Sequence, residues 1–178
     1  MGLDEGPAHE AFVGHGVSGG RCRIADVIDR IVSGGQTGAD RAALDVALAR
    51  GLPCGGWCPR GRMAEDGPID ERYPLRETPS ASYPQRTEWN VRDSDGTLVL
   101  THGRPGGGTG LTIALARRLG RPCLVLDLAS DPDPGEVKRW VESEGVRTLN
   151  VAGPRESQHP GIQDDARAFL EIALSNPP

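Results

Sequence analysis

Short apolar runs alternate with amphipathic segments along most of this chain. The apolar runs predict strands at 30–33, 53–59, 96–101, 122–128 and 148–152, and a weaker one at 75–78. Between them, apolar residues three and four positions apart predict helices at 37–50, 85–94, 109–119, 134–144 and 162–174. Because such alternation is typical of parallel sheets, we predict an α/β fold: a three-layer, Rossmann-like parallel sheet with helices on both faces.

The periodic pattern divides the chain into two parts. Residues 1–29 begin with a stretch rich in Gly and His and predict a partly mobile N-terminal tail. The alternating pattern over residues 30–176 predicts one Rossmann-like ligand-binding domain, which is long enough to bury a substantial core. The sequence has no apolar run near 18 residues and no signal-peptide pattern, so we expect a cytoplasmic protein without a membrane partner.

Charge and cysteine spacing narrow the possible partners. The formal net charge of −5 argues against nucleic acid and anionic membranes as partners, so any anion site must be local. Cys54 and Cys58 have a spacing that suggests zinc, but a second ligand pair is missing. We therefore predict reduced, free thiols and no metal site.

Two glycine-rich turns, at 33–38 and 105–110, each follow an apolar run and precede a helical pattern. Glycine lets several backbone N–H groups converge on one oxyanion, and the helix behind the turn adds the positive end of its dipole. Neither turn is a Walker A loop or a clean dinucleotide fingerprint. Because both would lie at the carboxyl ends of strands, they predict a site for an anionic, phosphorylated ligand; the alternative for either turn is glycine kept only for tight packing.

Arginine and amide side chains complete the predicted site. Arginine suits phosphate recognition, although Arg62 and Arg155 have the alternative of ion pairs within the protein. Asn90 and Asn150 are predicted to contact the polar edges of a heterocycle. The full set of predicted ligand-binding residues is Gly34, Gly35, Gln36, Thr37, Arg62, Arg86, Asn90, Gly106, Gly107, Gly108, Thr109, Asn150, Arg155 and Ser157.

Six ordered motifs carry a resemblance that covers about residues 30–174. They are SGGQTGADRAALDVA, GWCPRGRMAEDG, YPLRET, RTEWNVRDSD, GGGTGLT and LNVAGPRES. With them the chain resembles the putative molybdenum carrier family, in the Rossmann-like superfamily that also holds the Lonely guy and lysine-decarboxylase-like proteins. The resemblance implies a small α/β carrier of molybdenum cofactor (molybdopterin type), and a homo-oligomer, dimeric or tetrameric.

A second resemblance supplies the enzymatic alternative. Lonely guy enzymes, which cleave the base–ribose bond of nucleoside monophosphates, carry P-G-G-x-G-T-x-x-E, with the Glu serving catalysis. Here the turn is one residue shorter and Thr112 stands at the Glu position, where a hydroxyl is a poor acid or base near neutral pH. We therefore expect a carrier without catalytic residues. The alternative is a nucleotide- or ADP-ribose-binding protein, or a nucleotide hydrolase in which Glu65 or Asp66 supplies the carboxylate.

Overall fold

The computed structural model describes residues 27–175, so the predicted tail lies almost wholly outside the described residues. Six strands form one sheet in the order β5-β2-β1-β8-β6-β7, and every neighbouring pair is parallel. The sheet strands are β1 (Arg30–Val32), β2 (Cys54–Cys58), β5 (Leu75–Glu77), β6 (Gly96–Thr101), β7 (Cys123–Asp127) and β8 (Thr148–Ala152). The short strands β3 (Met63–Ala64) and β4 (Gly67–Pro68) form a separate antiparallel ribbon.

Helices cover both faces of the sheet. They are α1 (Ala39–Ala49), α2 (Tyr83–Arg92), α3 (Gly107–Arg118), α4 (Gly135–Glu144) and α5 (Ile162–Ala173). Helix α1 packs against α5 on one face, with α4 beside α5, whereas α2 and α3 pack against each other on the opposite face. The predicted three-layer α/β architecture is therefore confirmed.

The core explains why the apolar runs become strands. All six residues of β6 are buried, as expected for a central strand of a parallel sheet covered on both faces. Leu98 and Leu100 pack with Leu149 and Val151 of β8 and with the alanine-rich face of α1. On the opposite face, Val91 of α2 packs with Leu115 and Ala116 of α3.

The predicted boundaries differ from the observed ones at the helix starts. Helix α1 begins at Ala39 and not at residue 37, because Gly38 has φ of 81°, outside the helical region. Helix α2 begins two residues before the prediction, at Tyr83, because Pro84 suits the first helical turn. The loop predicted at 60–79 contains the β3–β4 ribbon and, at its end, β5.

The strand order places the site. From β1 the chain passes through β2 to β5, which forms one edge of the sheet. It then crosses to β6 and continues to β7, which forms the other edge, and β8 lies in the middle between β1 and β6. The turns after β1, β6 and β8 therefore lie side by side, where ligands bind in open parallel sheets. None of the helices between residues 27 and 175 is long and apolar enough to cross a membrane.

Candidate functional site

A cleft of about 350 Å³ opens at the carboxyl ends of the central strands. Its walls are the first turn of α3, the start of α2, and the segments that follow β1 and β8. Six of the predicted site residues line it: Gln36, Arg86, Gly107, Gly108, Thr109 and Arg155. Long-range folding thus brings together residues that lie up to 119 positions apart in the sequence.

The second glycine turn presents open backbone donors to this cleft. Gly106 is the N-cap of α3, and Gly107 adopts φ of 51° at its first position. The N–H of Gly110 donates to the carbonyl of Gly106 at 3.0 Å, but the N–H groups of Gly107, Gly108 and Thr109 have no acceptor among residues 27–175. Three donors and the positive end of the α3 dipole are therefore available to an anion.

The first glycine turn is filled by the protein's own carboxylate. The backbone N–H groups of Gly34 and Gln36 face the buried carboxylate of Asp40 and act to lower its pKa. The next two donors of the turn, on Thr37 and Gly38, bond to the Oε1 atoms of Gln36 and Gln163 at 3.0 and 3.1 Å. These four N–H groups therefore face acceptors that belong to the protein itself.

Asp40 also holds Arg86 in the cleft wall. The Arg86 Nη1 atom lies 2.8 Å from Asp40 Oδ2, and the two side chains are only 13% and 4% exposed. Gly34 makes this possible, because a Cβ there would lie 1.5 Å from Arg86 Nη1. Burial raises the pKa of Asp40, and Arg86 and the two backbone donors work against that rise. The Nε atom of Arg86 is buried without a partner in the described part of the chain.

Arg155 is a cation of the cleft that forms no ion pair with any residue from 27 to 175. Its guanidinium carbon lies 4.7 Å from the centre of the Tyr83 ring, a cation–π arrangement. Its charge contributes to the lowered pKa of Glu65, but no carboxylate within residues 27–175 comes within ion-pair distance of it. Because Arg155 is held by an aromatic face and not by an ion pair, its guanidinium is available to an anionic ligand.

Gln36 contributes an unpaired amide. Its side chain is 3% exposed, and its Oε1 atom accepts from the N–H groups of Thr37 and Glu65 at 3.0 and 2.9 Å. Its Nε2 atom has no partner among the residues described. Buried amide donors are normally paired, and Gln36 lines the cleft, so this residue is a candidate for contact with a ligand.

Arg62 lies away from the cleft and is engaged with the backbone. It adopts φ of 51° and donates to the carbonyls of Asp70, Tyr73 and Leu75 at 3.0, 3.1 and 3.0 Å. These bonds tie the loop before β5 to the segment after β2. Its partners are carbonyls and not the carboxylates that the ion-pair alternative would require.

Both asparagines of the predicted site are also bound internally. Asn90 accepts from the N–H of Trp57 at 2.8 Å and donates to the carbonyl of Trp57 at 2.9 Å. Asn150 is 2% exposed and donates to the hydroxyl of Thr97 at 3.2 Å. Neither side chain lines the cleft, and their amide groups brace β2 and β8.

The acidic loop is anchored to the turn after β8. Glu65 accepts from the hydroxyls of Thr37 and Ser157 and from the N–H of Ser157 at 3.1 Å. Burial acts to raise the pKa of Glu65, but these hydrogen bonds outweigh it and the pKa is lowered. The hydrogen bond from Arg41 likewise lowers the pKa of Asp66. Neither carboxylate lines the cleft.

Sequence reasoning missed several residues of the cleft lining, among them Asp40, Tyr83 and Gln158. The position of Asp40 could have been predicted from the sequence. An acid in the first turn of a helix that follows a glycine turn can accept hydrogen bonds from the N–H groups of that turn. Tyr83 and Gln158 carry no comparable signal, because their place depends on how α2 and the turn after β8 pack.

The cysteines of the described chain lie in or beside buried strands. Cys54, Cys58 and Cys123 are free thiols, and burial raises the pKa of each. Within the described residues, no three His, Cys, Asp or Glu side chains cluster closely enough to hold a metal ion.

The fold and the cleft define a Rossmann-like protein with an open cleft at the carboxyl ends of a parallel sheet. Residues 31–174 match the model of the circularly permutated YpsA SLOG family, and the chain belongs to that family. It is also similar to the crystal structure of a putative molybdenum carrier protein from Syntrophus aciditrophicus SB. The two are 45% identical over 84% of this chain and 96% of that chain, with a TM-score of 0.81. No curated protein matches the chain.

Proposed function

We propose that this protein binds a phosphorylated, anionic small molecule in the cleft and carries it unchanged, with molybdenum cofactor of the molybdopterin type as the leading ligand. The observation that carries the proposal is the group of three open N–H donors on Gly107, Gly108 and Thr109 beside Arg155, which forms no ion pair within the described chain. Helix N-termini with open donors bind phosphate groups, and arginine forks hold them.

The remaining contacts follow from the cleft walls. The phosphate would lie against the first turn of α3 and Arg155, beside the side chains of Gln36 and Arg86 that line the same cleft. The ring of Tyr83 supplies an aromatic wall. A volume of about 350 Å³ suits a small organic molecule with few convergent polar groups.

The choice of molybdenum cofactor rests on the similar solved structure. That protein is described as a putative molybdenum carrier, and it is 45% identical to this chain over 96% of its own length. A molybdopterin-type ligand offers a phosphate for the α3 donors and a hydrogen-bonding heterocycle for the polar side chains that line the cleft. The cofactor here is cargo, held by the chain's own residues and released intact.

The second candidate is binding of a nucleotide or ADP-ribose, which present the same two chemical features. Hydrolysis by the Lonely guy mechanism is not supported by the side chains present. The Thr112 hydroxyl donates to the Gly108 carbonyl at 3.0 Å, and Asp40, the acid that lines the cleft, is paired with Arg86. Glu65 and Asp66 would have to leave their present partners to act.

The deciding experiment identifies and compares ligands. Mass spectrometry of the purified protein identifies any copurifying compound, and calorimetry compares molybdopterin-type cofactor, AMP and ADP-ribose on one preparation. Tightest binding of the cofactor supports the leading proposal, tightest binding of a nucleotide supports the second, and no binding of any of the three overturns both. Light scattering on the same sample tests the predicted homo-oligomer.

A further inference from the structure

The β3–β4 ribbon lies outside the main sheet, but it is anchored in the core. Ala64 of β3 and Ile69, which directly follows β4, are buried in a cluster with Leu44 of α1 and Leu75 of β5. Each strand of the ribbon is only two residues long, so Glu65 lies at the tip of a short, anchored arm.

Glu65 connects two turns that supply residues to the cleft. Its backbone N–H donates to Gln36 Oε1 at 2.9 Å, in the turn after β1. Its carboxylate accepts from the Thr37 hydroxyl in that same turn, and from the hydroxyl and the N–H of Ser157 in the turn after β8. Gln36 lines the cleft from the first of these turns and Arg155 from the second. One side chain therefore ties two walls of the cleft together.

The backbone immediately after Arg155 is held by these hydrogen bonds. The N–H of Glu156 donates to Thr37 Oγ1 at 3.2 Å, and the N–H of Ser157 donates to Glu65 at 3.1 Å. The Thr37 hydroxyl donates in turn to Glu65, so the carboxylate also orients the acceptor of the Glu156 N–H. This segment lies between β8 and α5, outside both elements, so its shape depends on such contacts.

The two turns also approach each other closely on the other side of Arg155. A Cβ on Gly38 would lie 2.2 Å from the carbonyl oxygen of Pro154, and the N–H of Ala39 donates to that oxygen at 3.4 Å. Pro154 directly precedes Arg155. The backbone is therefore held before Arg155 by the start of α1, and after it by the hydroxyl and carboxylate of the two side chains described above.

We propose that Glu65 is a positioning residue of the binding site. It lies outside the cleft, and its carboxylate fixes the backbone that carries Arg155, which keeps that guanidinium where it meets the anionic group of the cargo. The inference rests on the proposed function, that the cleft binds a phosphorylated molecule. It gives Glu65 a role other than that of the acid in the hydrolase alternative.

The direction of the change in affinity separates positioning from the other roles of this carboxylate. Glu65 carries a negative charge near Arg155, so its direct electrostatic effect opposes the binding of an anion, and its removal would raise affinity. A role in stability alone would leave the affinity of the folded protein unchanged. Positioning predicts a loss of affinity, because Arg155 is then no longer held at the cleft.

The test measures binding of molybdopterin-type cofactor and of AMP, each with one phosphate, by calorimetry on the full chain. Glu65→Ala should lower the affinity for whichever compound the wild-type protein binds about tenfold, the scale of one charge-assisted contact. Glu65→Gln should restore most of that affinity, because an amide oxygen still accepts from the Ser157 N–H and the Thr37 hydroxyl. In the Arg155→Ala background, Glu65→Ala should cause no further loss, since both residues act through one contact.

Glu77→Ala is the matched control. Glu77 is an exposed carboxylate at the end of β5 that accepts from the N–H of Gly61, in the same loop as the ribbon, and it lies outside the cleft. Its replacement should leave affinity unchanged. If Glu65→Ala does not fold, Thr37→Val replaces it in the same comparison, because it removes the hydroxyl that Glu65 orients.

Three results would overturn the positioning role and leave the proposed function standing. They are unchanged or higher affinity in Glu65→Ala, the same loss in Glu65→Gln as in Glu65→Ala, and a further loss when Glu65→Ala is added to Arg155→Ala. A wild-type protein that binds neither compound overturns the proposed function, and the positioning role with it.

Discussion

Arg62 and Arg155 have the same chemistry, but their contacts give them different roles. Arg62 donates to three carbonyls of the 70–75 segment, so its removal takes one charge-assisted hydrogen bond from each of them. Arg155 rests on the ring of Tyr83 and forms no ion pair within the described chain. The first side chain therefore supports the fold, and the second is the candidate for binding.

This difference predicts opposite outcomes for two alanine variants. Arg155→Ala should weaken binding of the cargo by about 1.5–3 kcal/mol, the value of a charge-assisted hydrogen bond, with little change in melting temperature. Arg62→Ala should lower the free energy of unfolding by about 1–3 kcal/mol and leave affinity unchanged. Calorimetry and thermal denaturation measure the two quantities, and the reverse pattern would exchange the roles assigned here.

At the scale of elements, the start of α3 is the feature on which we expect ligand binding to depend. Gly107 has φ of 51° and Gly120, just beyond the end of the same helix, has φ of 63°. A Cβ at Gly107 would meet its nearest atom, Gln158 Nε2, at 3.8 Å, and a Cβ at Gly120 would meet none of the described atoms within 4 Å. Backbone strain and not a clash therefore disfavours alanine at either position. The two positions differ in their distance from the cleft.

Gly107→Ala and Gly120→Ala therefore form a matched pair. Each should cost about 1–2 kcal/mol of stability, because L-residues resist the left-handed conformation. Only Gly107→Ala should also weaken ligand binding, since any shift to relieve its strain moves the donors of the first helical turn. Denaturant unfolding and calorimetry measure both effects, and full affinity in a folded Gly107→Ala protein would contradict the assignment of α3 as the anion site.

The acidic loop is a second element with a testable role. Hydrogen bonds to Glu65 lower its pKa below the ordinary value of 4.5, so its contribution to stability is present above that value and is lost as the pH falls through the lowered pKa. We expect the loop at 64–66 to detach under acid, seen as faster amide exchange near Ser157. Glu65→Gln should remove this part of the pH dependence, and an unchanged acid profile in that variant would contradict the anchoring role.

At the scale of the whole molecule, the arrangement of acids favours a carrier over a hydrolase. Incubation of the protein with AMP or ADP-ribose should release no free base, because Glu65 and Asp66 lie outside the cleft and the Thr112 hydroxyl is bonded within α3. Chromatography of the mixture measures the outcome. Base release that disappears in Glu65→Gln or Asp66→Asn would overturn the carrier proposal and identify the acidic loop as catalytic.

The sequence by itself determined the architecture of the sheet and of the helices that cover it. Strands β6 and β8 have the predicted bounds, because an apolar run in a buried parallel strand is a local signal that needs no knowledge of its partners. The predicted three-layer sheet, the turn that precedes α3 and the family resemblance also follow from local patterns of residues.

Only the tertiary structure decided which of the candidate side chains line the cleft. Asp40 fills the first glycine turn, and Arg62, Asn90 and Asn150 find partners elsewhere in the protein. The periodicity of the sequence shows which face of an element is buried. It does not show which polar side chains are hydrogen-bonded within the protein, because packing brings their partners from distant parts of the chain. Arg155 and Gln36 Nε2 remain available because packing brings no such partner to them from the described residues.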